Sequence, residues 1–296
     1  MTNHPIEHPL LDFYTHPATM TVGGGYAHMF DGLPLDMGSL ACIVQGLLLH
    51  EHTAPAYGVA LSDERRSQSH IRPVERMLDR LLAHNDQPLF VARPIDMRFV
   101  GVCRHFTVLL VAMLRAQGVP ARARCGFGSY FNPGHFYDHW VCEYWNAAQA
   151  RWVRVDAQID EVQRAVLKVD FDVLDVPHDR FVIAGDAWAQ CRAGDADPST
   201  FGIFHMHGLW FIAGNLIRDV AALNNMEMLP WDVWGAMPRP DEPLNDDQLA
   251  FFDRLAALTR APDSSFADLR TLYANDDRLR VPATVFNAIL NRPEAL

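Results

Sequence analysis

Three residues of this chain have the types and the order that nucleophilic acyl chemistry needs: Cys103, His139 and Asp156. A thiolate attacks a carbonyl carbon, but a cysteine at its ordinary pKa is mostly a thiol near neutral pH. An imidazole can take that proton and later return it to a leaving group. A carboxylate bonded to one ring nitrogen fixes the tautomer and frees the other nitrogen for the thiol.

These roles make demands on the elements that carry the residues. Residues 106–117 are a mostly apolar run of helix formers, ended by Gly118-Val119-Pro120. A glycine just past a helix and a proline soon after are stop signals. Cys103, two residues after Gly101, therefore sits at or just inside a helix N-terminus. Unpaired N–H groups and partial positive charge collect there, and both lower a thiol pKa and hold an oxyanion.

Downstream, 121–128 alternates as a strand, and 130–137 contains Asn132-Pro133-Gly134 and reads as a loop. Residues 139–145 and 151–156 are aromatic and β-branched and read as two strands. A four-residue loop at 146–149 pairs Trp145 with Ala150 and places His139 opposite Asp156. Alternation then puts His139, Val141, Glu143 and Trp145 on one face with Trp152, Arg154 and Asp156. Directly opposed residues hold their Cβ atoms roughly 4.5–5.5 Å apart, within reach of a side-chain hydrogen bond. A one-residue change in the turn breaks that opposition.

The segments GVCRHFTVLLVAMLRAQGVPARARCGFGSYF, DHWVCEYW and RWVRVD resemble the catalytic core of the transglutaminase-like superfamily. There a Gly-x-Cys opens a helix that ends in a Gly-x-Pro turn, and a His-x-Trp-type strand and a W-x-x-x-D strand follow. Here these are Gly101–Cys103, Gly118–Pro120, His139–Val141 and Trp152–Asp156. The resemblance covers residues 101–156. It implies Cys103 as nucleophile, His139 as base and acid, and Asp156 as orienter. The family's upstream Trp or Gln oxyanion donor has no counterpart assigned by sequence. No Trp precedes Trp140, and Gln87 is the only glutamine in the twenty residues before Cys103.

Other residues carry weaker signals. His50-Glu51-His52 lacks the i, i+4 spacing of H-E-x-x-H and reads as a solvated helix end. His205 and His207 share a face if extended and read as surface residues. Gly23-Gly24-Gly25 has no following Lys-Ser/Thr and reads as a turn. Asp160 is a second, less direct orienter. Cys125, Cys142 and Cys191 read as structural. Arg104 and His105 face either substrate or solvent. The aromatic third zone (Trp188, Phe201, Phe204, Trp210, Phe211, Trp231, Trp234) reads as ordinary core, with a lid over the site as the alternative.

The chain has 296 residues, 49% hydrophobic and 21% charged, an ordinary globular balance. A net charge of −11 disfavours a nucleic-acid or anionic-membrane partner. Five scattered cysteines without a C-x-x-C pair fit a reducing compartment. The start MTNHPIEHPLLDFY shows no secretory leader, so the expected location is cytoplasmic and the expected source bacterial. Near-apolar runs at 40–49 and 108–114 are too short to span a bilayer.

The expected fold is α+β, papain/transglutaminase-like, with a nucleophile helix packed on an antiparallel sheet and helical N- and C-terminal extensions. The expected organisation is a mostly helical part over 1–100, with helices at 39–51 and 73–84 after an irregular start. The catalytic core follows at 101–160. A mainly helical part over 161–296 includes helices at 215–224 and 246–259 and two or three polar helices after Pro238. The expected reaction is acyl transfer or hydrolysis on a peptide-like amide through a Cys103 thioester, with no cofactor and no metal. Superfamily members include cross-linking transferases, cysteine proteases, peptide deglycosylating enzymes and small-molecule amide-forming enzymes. An amide-forming small-molecule acyltransferase is therefore the second reading, and a non-catalytic binding module the third. Nothing in the residues sets an oligomeric state.

Overall fold

A helix apolar on nearly every side has to be buried, and residues 103–116 meet that condition. In the computed structural model, which describes residues 9–296, every side chain from Cys103 to Arg115 is buried. The first eight residues, which carry the start of the expected irregular segment and of the leader reading, lie outside the described residues.

The N-terminal part contains helices α1 (Pro9–Thr15), α2 (Met37–Leu47), α3 (Asp63–Ser67) and α4 (Val74–His84), with strand β1 (Leu48–His50) after α2. Strand β2 (Phe99–Gly101) leads into α5 (Cys103–Ala116). Strands β3 (Ala121–Asn132), β4 (His135–Asn146) and β5 (Arg151–Val155) follow. Then come α6 (Glu161–Leu167), β6 (Phe181–Ile183), α7 (Ala184–Ala193), β7 (Phe201–Ile203), β8 (Met206–His207) and α8 (Leu209–Ala222). The C-terminal part holds β9 (Asp232–Val233), α9 (Asp246–Arg260), α10 (Phe266–Asn275), β10 (Thr284–Asn287) and β11 (Arg292–Ala295).

The main sheet has the order β6-β3-β4-β7-β8, with β5 paired along the other half of β4. All its pairs are antiparallel except β4 with β7. Helix α5 lies on one face, against Cys125, Trp140 and Cys142, with residues of α2 and α4 on its far side. The opposite face carries Val141, Phe181 and Ile183. A second apolar cluster joins α7, α8 and α9. The fold is thus α+β, with a buried helix on a mainly antiparallel sheet.

Several elements depart from their sequence expectation, each for a contact the local pattern does not contain. The helix expected to run to Glu51 stops at Leu47, because Leu48–His50 pairs in parallel with Phe99–Gly101. The loop expected over 130–137 is a tight hairpin, in which Asn132 pairs with His135 and Gly134 takes a φ of 79°. The chain does not end in helices: β10 and β11 form a three-stranded sheet with β9. Buried Arg72 ties that sheet to the N-terminal part, binding Asp232 at 2.6 Å and Glu294 at 2.9 Å.

Candidate active site

Cys103 is the first residue of α5, and extended Val102 is its N-cap. The cap uses an imidazole. His105 Nδ1 accepts the Val102 N–H at 3.0 Å, and Nε2 donates to the Ile71 carbonyl at 2.9 Å. This is the reciprocal half of a capping box, with His in place of the usual Glu. It also explains Gly101: a Cβ there would meet the His105 ring at 2.8 Å. Arg104 points away from the sulfur and binds the carbonyls of Arg72 and Glu227. Both residues after Cys103 are therefore buried groups held by the backbone, and neither faces solvent.

Burial, with the Arg104 charge adding, pushes the His105 ring down to about 3. The folded state keeps it neutral, while the unfolded chain protonates it near 6.5. Its contribution to stability is therefore full above pH 6.5 and shrinks as pH falls toward 3. Linkage sets the loss at about 2 kcal/mol between pH 7 and pH 5. In His105→Gln the amide oxygen can keep the cap and nothing titrates. Urea unfolding at the two pH values should show a smaller acid loss for the variant by about that amount. Equal losses would remove His105 from the account.

His139 and Asp156 meet directly. His139 Nε2 lies 2.8 Å from Asp156 Oδ2, with both side chains almost wholly buried. The hairpin between them is not registered as the sequence suggests. Trp145 pairs with Trp152 and Asn146 with Arg151, so the four-residue loop is 147–150. Asn146 stays in the ladder and its Oδ1 accepts the Gln149 N–H, while Ala150 takes a φ of 50°. Asp156 therefore falls level with Val141, diagonal to His139 and not opposite it. The register differs by two, so both residues keep the same face, and a diagonal neighbour is still within side-chain reach. Asp156 has also left the ladder, its N–H donating to the Val173 carbonyl at 2.8 Å.

Both oxygens of the carboxylate are engaged. Oδ2 also accepts the Tyr130 hydroxyl at 2.6 Å, and Oδ1 accepts the Gln158 N–H at 3.0 Å. Burial and the Asp156 charge push the Tyr130 phenol well up, so it remains a donor. Tyr130 and Phe131 also wall the imidazole, with ring centroids 5.8 and 4.8 Å from that of His139. Sequence reading missed Tyr130 because it ended the first strand at Gly128. Gly126 pairs with His139, but the register shifts between Gly128 and Asn132, and this irregularity brings the adjacent rings of Tyr130 and Phe131 both against the histidine, which simple alternation would not.

Because a carboxylate only accepts, His139 Nε2 carries the hydrogen and Nδ1 is left with its lone pair. The Cys103 sulfur is faced by the backbone N–H groups of Trp140 and Arg104, which favour thiolate. Burial opposes them most strongly, and the Asp138 and Asp156 charges add to it, so the thiol is pushed well up. The helix start alone does not produce a resting thiolate. Asp138 is itself buried, bound by Asn215 at 2.8 Å, and burial pushes its carboxyl up.

The remaining candidates fall outside this cluster. Asp160 caps α6 and accepts the Tyr57 hydroxyl at 2.6 Å. Gln87 is exposed, with its carbonyl held by Arg93. His205 and His207 are exposed. Cys125 and Cys142 are fully buried, and Cys191 is half-buried. Trp188, Phe201, Phe211 and Trp234 are core residues. Phe204 alone of the aromatic zone is exposed, edge-on to His52 at 5.3 Å. The reading of His50 as solvated is wrong: it is buried on β1, beside Gly101. Among the described residues, no group of three or more His, Cys, Asp or Glu is placed to hold a metal, and no helix is long and apolar enough to cross a membrane.

No curated protein matches the chain. A solved structure described as "a Putative Cysteine Protease from Cytophaga hutchinsonii" is similar, at 18% identity with a TM-score of 0.34. That match covers 60% of this chain and 47% of the other, so it spans about half of that protein's length. The family model of the Transglutaminase-like superfamily matches residues 87–157 and supports cysteine-based catalysis in general. The matched stretch holds the helix start, both strands of the site and all three sequence-predicted residues, and the chain carries a transglutaminase-like core there.

Proposed function

We propose that the protein performs cysteine-dependent acyl transfer or hydrolysis on a peptide-like amide through a thioester on Cys103. The observation that carries this reading is the 2.8 Å His139–Asp156 bond, which leaves His139 Nδ1 as a free base. In this mechanism Nδ1 takes the thiol proton as the sulfur attacks the carbonyl carbon. Burial and the Asp138 and Asp156 charges favour the thiol form of Cys103, which suits general-base activation on substrate arrival. The N–H groups at the start of α5 hold the oxyanion. Collapse breaks the C–N bond, and the imidazolium protonates the departing amine. Water or a second amine then attacks the thioester, with His139 taking its proton and returning it to the sulfur.

Intact-mass analysis with p-nitrophenyl acetate tests this. Wild type should gain one acetyl group, mapped to Cys103 by peptide digestion, and Cys103→Ala should gain none there. Loss of the adduct in water alone indicates a hydrolase. Loss accelerated by an added amine, with the amide as product, indicates a transferase and favours the amide-forming reading. Acetylation spread evenly over the five cysteines, or none at Cys103, would leave the fold as a non-catalytic module.

A further inference from the structure

His50 occupies a place that no motif marks. It ends β1, is paired with Gly101, and the next N–H, of Glu51, donates to the Gly101 carbonyl at 2.8 Å. That seats it beside the two residues leading into Cys103. Its ring lies 6.3 Å from that of Phe106, which is one helical turn after Cys103 on α5. His139 is among the charges that oppose protonation of the His50 ring. The strand pairing with Gly101 and the approach to Phe106 together put the His50 ring near the start of α5.

The protonation of this ring is fixed by its partners. Nδ1 accepts the His52 N–H at 3.2 Å, so it carries no hydrogen. A neutral ring must then carry its hydrogen on Nε2. Burial, with His52, His139 and His105 adding, holds the imidazole well below its ordinary range, so it stays neutral. Nε2 has no hydrogen-bond partner among the described residues, and it is not one of the partnerless atoms sealed from solvent. A buried side chain on the strand paired with Gly101 thus carries one unpartnered N–H.

We propose that His50 Nε2–H is the side-chain donor to the carbonyl oxygen attacked by Cys103, completing the oxyanion hole begun by the N–H groups of α5. This rests on the thioester reading above and names a group that reading lacks. A neutral donor suits this role, because it stabilises charge as it develops on oxygen and does not compete with the imidazolium forming on His139. Gln68 spends its Oε1 on the Val100 N–H at 2.8 Å, which leaves its amide NH₂ as the rival donor, so Gln68→Leu should leave acylation unchanged if His50 is the donor.

Two reactions of the same sulfur separate this role from a structural one. Alkylation by iodoacetamide forms an S–C bond and expels iodide, with no oxyanion. Acylation by p-nitrophenyl acetate forms an S–C bond and expels p-nitrophenolate through a tetrahedral oxyanion. Removing one oxyanion donor costs about 10²–10³ in rate. His50→Leu should therefore slow acylation of Cys103 about 100-fold while alkylation changes less than about threefold. His50→Gln, which restores an N–H donor, should recover at least tenfold of the loss. Equal slowing of both reactions, or unchanged acylation, overturns the assignment. A wild-type protein that gives no Cys103 adduct is a separate result: it fells the thioester reading and this proposal with it.

Discussion

Asp156→Asn should lower acyl transfer by about 10³–10⁴-fold while leaving the fold intact, the size of effect that the same change has in a Ser-His-Asp triad. The site leaves the amide no acceptable pose. Asp156 accepts three hydrogen bonds, from His139 and Tyr130 on Oδ2 and from the Gln158 N–H on Oδ1. If the amide oxygen faces His139, the amide NH₂ is driven against the Gln158 N–H. If it is flipped, the NH₂ faces His139, and Nε2 must become the acceptor. The ring hydrogen then moves to Nδ1, where the base is needed. Both poses also remove the negative charge that steadies the imidazolium. Burst kinetics with p-nitrophenyl acetate measures the acylation step, and circular dichroism checks the fold. A drop of less than tenfold would remove Asp156 from the orienting role.

Glu143→Gln should cost about 3–5 kcal/mol of stability, the range for breaking a buried ion network from one side. Glu143 sits on the His139 face of β4 and is almost fully buried. It binds Arg122 at 2.8 Å, Arg154 at 3.0 Å and Arg124 at 3.3 Å. Burial alone would raise its carboxyl, but the charges of Arg124, Arg122 and Arg154 hold it well below the usual range. Glutamine has the same shape, so no cavity forms and the cost is electrostatic. Arg122 and Arg124 keep Asp263 and Asp219 as second partners, at 2.6 and 2.8 Å. Among the described residues, Arg154 is left with the Phe181 carbonyl at 3.1 Å as its one other hydrogen-bond partner. Urea unfolding measures the change, and a loss under about 1 kcal/mol would show that the arginines are satisfied without Glu143.

The helix start was legible because its signals are local. An apolar run closed by Gly118-Val119-Pro120 leaves few places for a helix to begin, and α5 begins at Cys103. The shared face of His139 and Asp156 was legible for a different reason. Side chains on a strand alternate with period two, so a register error of two residues, as here, leaves every residue on its face. The register itself depended on how Asn146 bonds across the turn and on Ala150 adopting a positive φ. The Tyr130–Asp156 bond and the place of His50 were not legible, because those contacts exist only once β3 and β1 are laid beside β4 and α5. The same holds for α2, which stops at Leu47 because a strand 50 residues away offers Leu48–His50 a partner.

By itself, then, the sequence pointed to three candidate side chains, their order, and the kinds of element that carry them. Periodicity, stop signals and residue type are properties of short segments, and they survive errors of one or two positions. Only the tertiary structure decided the state of the groups. The helix start predicted a lowered thiol pKa at Cys103, but burial and two neighbouring carboxylates push it up. Desolvation is the summed effect of everything packed around a group, and packing is not written in any one segment. The diagonal approach of Asp156, the Tyr130 hydroxyl behind it and the free N–H of His50 belong to that same level. They arise where residues distant in sequence share one small, nearly dry volume.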